Sequence, residues 1–247
     1  MCSLTIMKIP YTRSWILASS VAGLSVAQAS VISANFREDN GNPNQLIAPT
    51  TVAGGGAGVG ATNWNDALGG TGSAADLVDD SGAGTTLDLS WSSGGMWGDG
   101  TANTDADAQV GNAQLQRGYL DDNQGAPDPI VISISEVPYA QYDLVVYFST
   151  DTSGDSYGTI SVTDAIGTKT GSTSGTKLLW GESSVLDDTN SLRITGLSGN
   201  ATIDAPVRSG AIRHSVSGIQ IIEVPEPATI TLAGFAGMLL LGRRRRS

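Results

Sequence analysis

The chain has 247 residues, of which 13 are Lys or Arg, 24 are Asp or Glu, one is His and one is Cys, for a formal charge of −11. Without the terminal segments, residues 30–222 carry 7 basic and 22 acidic side chains, a charge of −15. That surface repels phosphates and anionic headgroups and argues against a nucleic-acid partner. The lone cysteine, Cys2, lies at the N-terminus, so a mature chain has no disulfide, thiol catalysis or zinc–thiolate site.

The N-terminus reads as an export signal. Lys8 and Arg13 supply positive charge, an apolar run extends from Trp15 to about Val26, and Ala27-Gln28-Ala29 gives the small-x-small pattern that signal peptidase admits. Residues 1–29 are therefore expected to be removed, leaving residues 30–222 as one β-sandwich domain. At that length a chain buries roughly 70% of the surface its unfolded form exposes, enough for a core without metals or disulfides.

From Val31 onward the hydrophobic period is two. Ile32, Ala34 and Phe36 alternate with polar neighbours, as do Leu87, Leu89 and Trp91, then Ile130, Ile132 and Ile134. Tyr142, Leu144, Val146 and Phe148 make the longest stripe. Ile160 with Val162, Leu192 with Ile194, Ala201 with Ile203 and Ile219 with Ile221 complete the set. Such alternation puts one side of each strand on a core and the other in water. Turn signals such as Asn40-Gly41, Asp80-Ser81-Gly82 and Ser198-Gly199-Asn200 separate the runs. The pattern predicts an all-β fold, an antiparallel β-sandwich of jelly-roll-like form. It includes a hairpin from Leu192 to Ile203, a long loop over Thr51 to Gly60, and a short helical turn near Val110 to Leu120.

Three groups of residues are candidates for chemistry. Asp99, Asn103, Asp105 and Asp107 place oxygen ligands at every second residue, which suits a structural calcium ion. They depart from an EF-hand loop, because Ala108 stands where Gly is needed and Gln114 where Glu is needed; the competing reading is an acidic solvated loop. Trp64, between Asn63 and Asn65-Asp66, and Trp97 are loop rings on which a sugar face could stack; the competing reading is that each pins its loop to the sandwich. His214, in Arg213-His214-Ser215, reads as a solvated loop residue. No G-x-S-x-G elbow is present, and paired carboxylates carry no signal in so acidic a chain. The expectation is a non-enzymatic protein that needs no cofactor.

The C-terminus, residues 223–247, has three ordered parts. Pro225-Glu226-Pro227 cannot continue a helix, the following apolar stretch from about Ala228 would make a short hydrophobic helix roughly 22 Å long, and Arg243, Arg244, Arg245 and Arg246 end it. The arginines would stay on the cytoplasmic side, with the domain outside. This order resembles the PEP-CTERM sorting signal, over about residues 224–247 only. The resemblance implies processing by an exosortase, transient anchoring in the inner membrane, and delivery to the cell envelope or to an extracellular matrix associated with exopolysaccharide. The later half, from the Tyr142 stripe to Ile221, looks like the β-sandwich passengers of such proteins, some of which are similar to galactose-binding-type domains. Two functions follow as expectations: a structural matrix component, or a glycan-binding module using loop Trp residues. A glycoside-acting enzyme is a more distant alternative.

Overall fold

The computed structural model describes residues 29–40, 43–98, 110–122, 128–149, 159–173, 186–206 and 214–226. The strands in chain order are β1 (Val31–Arg37), β2 (Asn65–Leu68), β3 (Thr71–Ala74), β4 (Asp88–Ser92), β5 (Gly95–Gly98), β6 (Gly118–Asp121), β7 (Ile130–Ser135) and β8 (Tyr142–Tyr147). They continue as β9 (Thr159–Thr163), β10 (Thr168–Ser172), β11 (Ser191–Leu197), β12 (Ala201–Ala205), β13 (Ser215–Val216) and β14 (Gly218–Glu223). One short helix, α1 (Val110–Leu115), lies between β5 and β6, where the sequence predicted a helical turn.

Two sheets face each other. One has five strands in the order β11-β8-β14-β1-β2, the other six in the order β10-β9-β12-β7-β4-β3, and a small sheet β13-β6-β5 flanks them. Every pairing is antiparallel except β1 with β2. The apolar stripes meet between the sheets: Ile32, Phe36, Leu144, Val146, Ile219 and Ile221 from one side, Leu89, Trp91, Ile132, Ile134, Val162 and Ile203 from the other. Trp91 is core, with its edge toward Phe36 at 5.8 Å and its indole N–H donated to the Gly69 carbonyl at 2.8 Å. The all-β sandwich expected from the alternation is therefore the fold.

Two expectations need correction. The segment from Leu192 to Ile203 is not a hairpin. β11 pairs with β8 in the five-stranded sheet, whereas β12 pairs with β7 and β9 in the six-stranded one, so the chain crosses the sandwich at Ser198 to Asn200. The corner is fixed by the Tyr142 hydroxyl, which donates to the Gly199 carbonyl at 3.0 Å. A register shift between Ile194 and Leu197 bends β11 toward that corner, where Asp143 accepts from the Gly196 N–H at 2.9 Å and from Nε and Nη2 of Arg193.

The second correction concerns the five-stranded sheet, whose outer face is covered over its central strands. Val31, Val145, Tyr147 and Ile222 on that face pack against Ile47, Ala53, Ala61, Trp64 and Leu115, making a second, smaller core. The covering layer is the loop predicted over Thr51 to Gly60, and glycine lets it lie this close. Gly54, Gly55 and Gly56 all have positive φ. Gln220 receives the Val59 N–H at 3.1 Å and the Tyr147 hydroxyl at 2.7 Å, and returns its own amide to the Val59 carbonyl at 2.9 Å. The loop's backbone is thus satisfied by side chains of the sheet beneath it, as burial requires.

Candidate functional site

Among the described residues, the broad face left uncovered is the outer side of the six-stranded sheet. Strand alternation decides what stands there. In β4, β7, β9 and β12 the inward positions are buried Leu, Trp, Ile, Val and Ala, and the outward positions are exposed or half-buried. Pairing aligns the outward residues in rows across the strands. One row runs Ser73, Ser90, Ser133, Thr202, Thr163, Thr168 from one edge to the other. The next runs Thr71, Ser92, Val131, Asp204, Ser161, Thr170. Asp88 beside Ser135 and Thr159 beside Ser172 flank them. All but Val131, Asp88 and Asp204 are Ser or Thr.

Neighbouring hydroxyls in a row are set by strand spacing, about 4.7–4.9 Å, and successive rows by two residues of rise, about 6.8 Å. Some are close enough to bond: Thr163 Oγ1 lies 2.9 Å from Thr168 Oγ1, and Thr159 Oγ1 lies 2.8 Å from Ser172 Oγ. No outward position in these rows is Lys, Arg or Glu, so the face is shallow and carries no cation of its own.

An open hollow of about 570 Å³ lies on this face where β7 and β9 end and β12 begins. Ser133, Ser135, Thr163, Asp164, Asn200 and Thr202 supply its polar lining. Asp164 is held by three backbone donors, Ile166 at 2.9 Å, Gly167 at 3.0 Å and Ser198 at 3.0 Å. Partial burial pushes its carboxyl up, but those bonds and the Lys169 charge outweigh it and hold Asp164 below the usual carboxylate range. Asn200 accepts from the Glu136 N–H at 3.1 Å, which fixes its amide at the rim. Aliphatic hydroxyls are weak nucleophiles until a base takes their protons. A carpet of them can donate and accept hydrogen bonds.

The residues singled out from sequence fall elsewhere. Trp64 is not an exposed loop ring: it is 6% exposed, donates its indole N–H to the Ala61 carbonyl at 3.0 Å and packs 6.0 Å from Tyr147. It pins the loop layer and presents no face to a sugar. Trp97 lies in strand β5 rather than in a loop; it is half-buried, with one face stacked on Tyr119 at 5.4 Å and 26°. His214 is not solvated. It is 3% exposed, with Nδ1 3.8 Å from Asp122, where the chain enters β13 and pairs alongside β6.

Asp99, Asn103, Asp105 and Asp107 lie outside the described residues, as do Ala27, Pro227 and Arg243 to Arg246. Among the described residues no group of three or more His, Cys, Asp or Glu could hold a metal, and no helix is long and apolar enough to cross a membrane. Ala29 stands one residue before Ser30 at the start of the sandwich, and Pro225 and Glu226 are exposed just after β14.

The hydroxyl rows were missed from sequence, although part of their signal was present. Ser133 with Ser135, Thr159-Ser161-Thr163 and Thr168-Thr170-Ser172 alternate at the strand period, but only the register joins them into one surface. No protein-family model matches the chain, and no curated protein matches it either.

Proposed function

We propose that this chain is an exported, non-enzymatic protein of the cell envelope or extracellular matrix, which associates with neutral polysaccharide through the outer face of its six-stranded sheet. Its route rests on the sequence: a signal peptidase cut after Ala29, transient inner-membrane retention by the apolar tail and Arg243 to Arg246, and exosortase processing at Pro225-Glu226-Pro227. The glycan reading rests on one observation, the hydroxyl rows converging on an open hollow.

Each hydroxyl contact contributes little, because water already satisfies these groups; net values are about 0.5–1.5 kcal/mol per bond. A polymer gains by engaging several rows at once, since each later contact forms at high effective concentration. The absence of cations from the rows, with Asp88 and Asp204 present, favours a neutral chain over an anionic one. Sheet twist of about 20–25° per strand favours a pliable chain over a rigid crystalline surface.

Retention of the exported protein in native gels cast with a neutral polysaccharide such as dextran tests the proposal. Ser133→Glu together with Thr202→Glu should lower retention severalfold while the melting temperature holds. If Trp97→Ala abolishes retention and the double variant does not, the glycan contact is the ring instead. Wild-type protein with no retention on any neutral polysaccharide would leave a structural matrix role without a glycan ligand. For the route, mass spectrometry of the extracellular product should find a C-terminus upstream of Ala228; an intact end at Ser247 would overturn the sorting assignment.

A further inference from the structure

Ser30 is small and nearly terminal to the sandwich, yet every polar atom it has is engaged. Its N–H donates to Glu223 Oε2 at 3.2 Å, its carbonyl accepts from the Glu223 N–H at 2.9 Å, and its hydroxyl donates to Asp79 Oδ2 at 3.3 Å. The Tyr139 hydroxyl donates back to Ser30 Oγ at 2.9 Å. One residue on, the Val31 N–H donates to Asp80 Oδ1 at 3.2 Å, and the Asp80 N–H donates to the Val31 carbonyl at 2.8 Å. One carboxylate, Glu223 from β14, therefore takes the Ser30 nitrogen directly, while Asp79 and Asp80, from the segment that bridges β1, take the Ser30 hydroxyl and the next backbone nitrogen.

We infer that this acidic seat is the binding site for the α-ammonium created when the signal peptide is cut between Ala29 and Ser30. It goes beyond the proposed function, resting only on the export signal read from sequence. Hydrolysis of that amide consumes one water and leaves a carboxylate on Ala29 and an α-ammonium on Ser30. The cut exchanges a neutral nitrogen with one hydrogen for a cation with three, at a position that already faces Glu223. Before the cut, Glu223 faces a neutral N–H, with Asp79 and Asp80 on the adjoining groups; after it, Glu223 faces a cation.

The neighbours register that field. Burial chiefly pushes the Tyr139 hydroxyl up; the charges of Glu223, Asp79 and Asp80 add to this, against the bond to Ser30. Burial also pushes the Asp79 carboxyl up, but bonds from Ser81, Ala83 and Ser30 prevail and hold it below its usual value, so it is ionised when the new terminus forms. The titratable groups facing the terminus are thus Glu223, Asp79, Asp80 and Tyr139, and none is basic. The same Glu223 begins the exit of the C-terminal segment, with the Val224 N–H held by the Gln141 carbonyl at 3.0 Å. N-terminal maturation therefore braces the base of the sorting tail.

An ordinary α-amine titrates at about 7.7–8.0, and an adjoining carboxylate raises it. Since the folded-state value is the higher, the stabilisation is complete below the ordinary value and is lost as pH rises through the raised one. The test begins with the full chain exported from a bacterial host. N-terminal sequencing should give Ser30 as the first residue, and reductive methylation with 13C-formaldehyde should yield an α-amine signal titrating above the ordinary range. The melting temperature of the cut chain should fall between about pH 8 and 10. Uncut precursor, made with Ala27→Leu and Ala29→Leu, should lack that fall. Glu223→Gln, or Asp79→Asn where that variant folds poorly, should return the α-amine toward its ordinary value. A different first residue, an α-amine at about 7.7–8.0 in the wild type, or the same profile in cut and uncut chains would each overturn the inference.

Discussion

Replacing Gly58 by alanine adds one methyl group where the structure has no room for it. The new Cβ would fall well inside van der Waals contact of Tyr147 Oη and Gln220 Oε1, and 3.1 Å from Tyr147 Cζ. Neither neighbour can yield cheaply. Tyr147 and Gln220 are both 0% exposed, the ring packs against Trp64, and the amide is held by Val59 and by Ser33. The backbone at Gly58 lacks the positive φ of Gly54 to Gly56, so the cost is steric rather than conformational. Overpacking costs about 1–3 kcal/mol, and disrupting a buried hydrogen bond about 1–3 kcal/mol more. The combined loss of about 2–6 kcal/mol corresponds to a fall of roughly 4–24 °C in Tm for a domain of this size. Thermal and urea melts of Gly58→Ala measure it, with Gly84→Ala as control, since a Cβ there meets nothing within 4 Å. A Gly58→Ala variant melting within a degree or two of the control would refute the view that the loop layer is packed core.

Two further outcomes are expected. Trp64→Ala should destabilise the domain by about 3–5 kcal/mol, as deletion of a buried ring does, whereas the half-buried Trp97→Ala should cost clearly less; paired urea titrations separate them. Acid should weaken the fold through Asp79 and Asp164, whose carboxyls are held below their usual range. Their contribution is present above the unfolded value of about 3.9 and is lost as pH falls through the lower folded values. Asp79→Asn and Asp164→Asn should each flatten the fall in Tm between about pH 4 and 2; a profile unchanged by both would remove these turns from the account.

How far the sequence could be read depended on what each strand packs against. β1, β4, β7, β8, β9, β11, β12 and β14 carry apolar stripes that reach the core, and each was visible as alternation. β2, β3, β5, β6, β10 and β13 were not. Thr71-Gly72-Ser73-Ala74 and Thr168-Lys169-Thr170-Gly171-Ser172 are edge strands whose inward positions hold only small or long polar residues, so no stripe marks them. β8 is buried on both faces, and the apolar Val145 and Tyr147 were a sign that its second face is covered. That the cover is the glycine-rich loop was not legible, because the contact joins Gly58 to Gln220 across more than half the chain. The same limit hid the hydroxyl face and the fate of His214 and Trp64. Local composition describes a loop ring or a loop imidazole identically, whether the fold closes over it or not.

The antiparallel pairing of Val31 with Ile222 also determines how the domain bears force. Chain enters at Ser30 and leaves at Glu223 from the same end of two neighbouring strands. Tension applied between those two points would act along the hydrogen bonds of β1 and β14 and open them one pair at a time, Val31–Ile222 first and Asn35–Gly218 last. Pulling a strand lengthwise past its partner would instead load all of those pairs together. A tether attached at one end, with the opposing load on the six-stranded sheet, never applies that peeling force and passes tension through the packed interior.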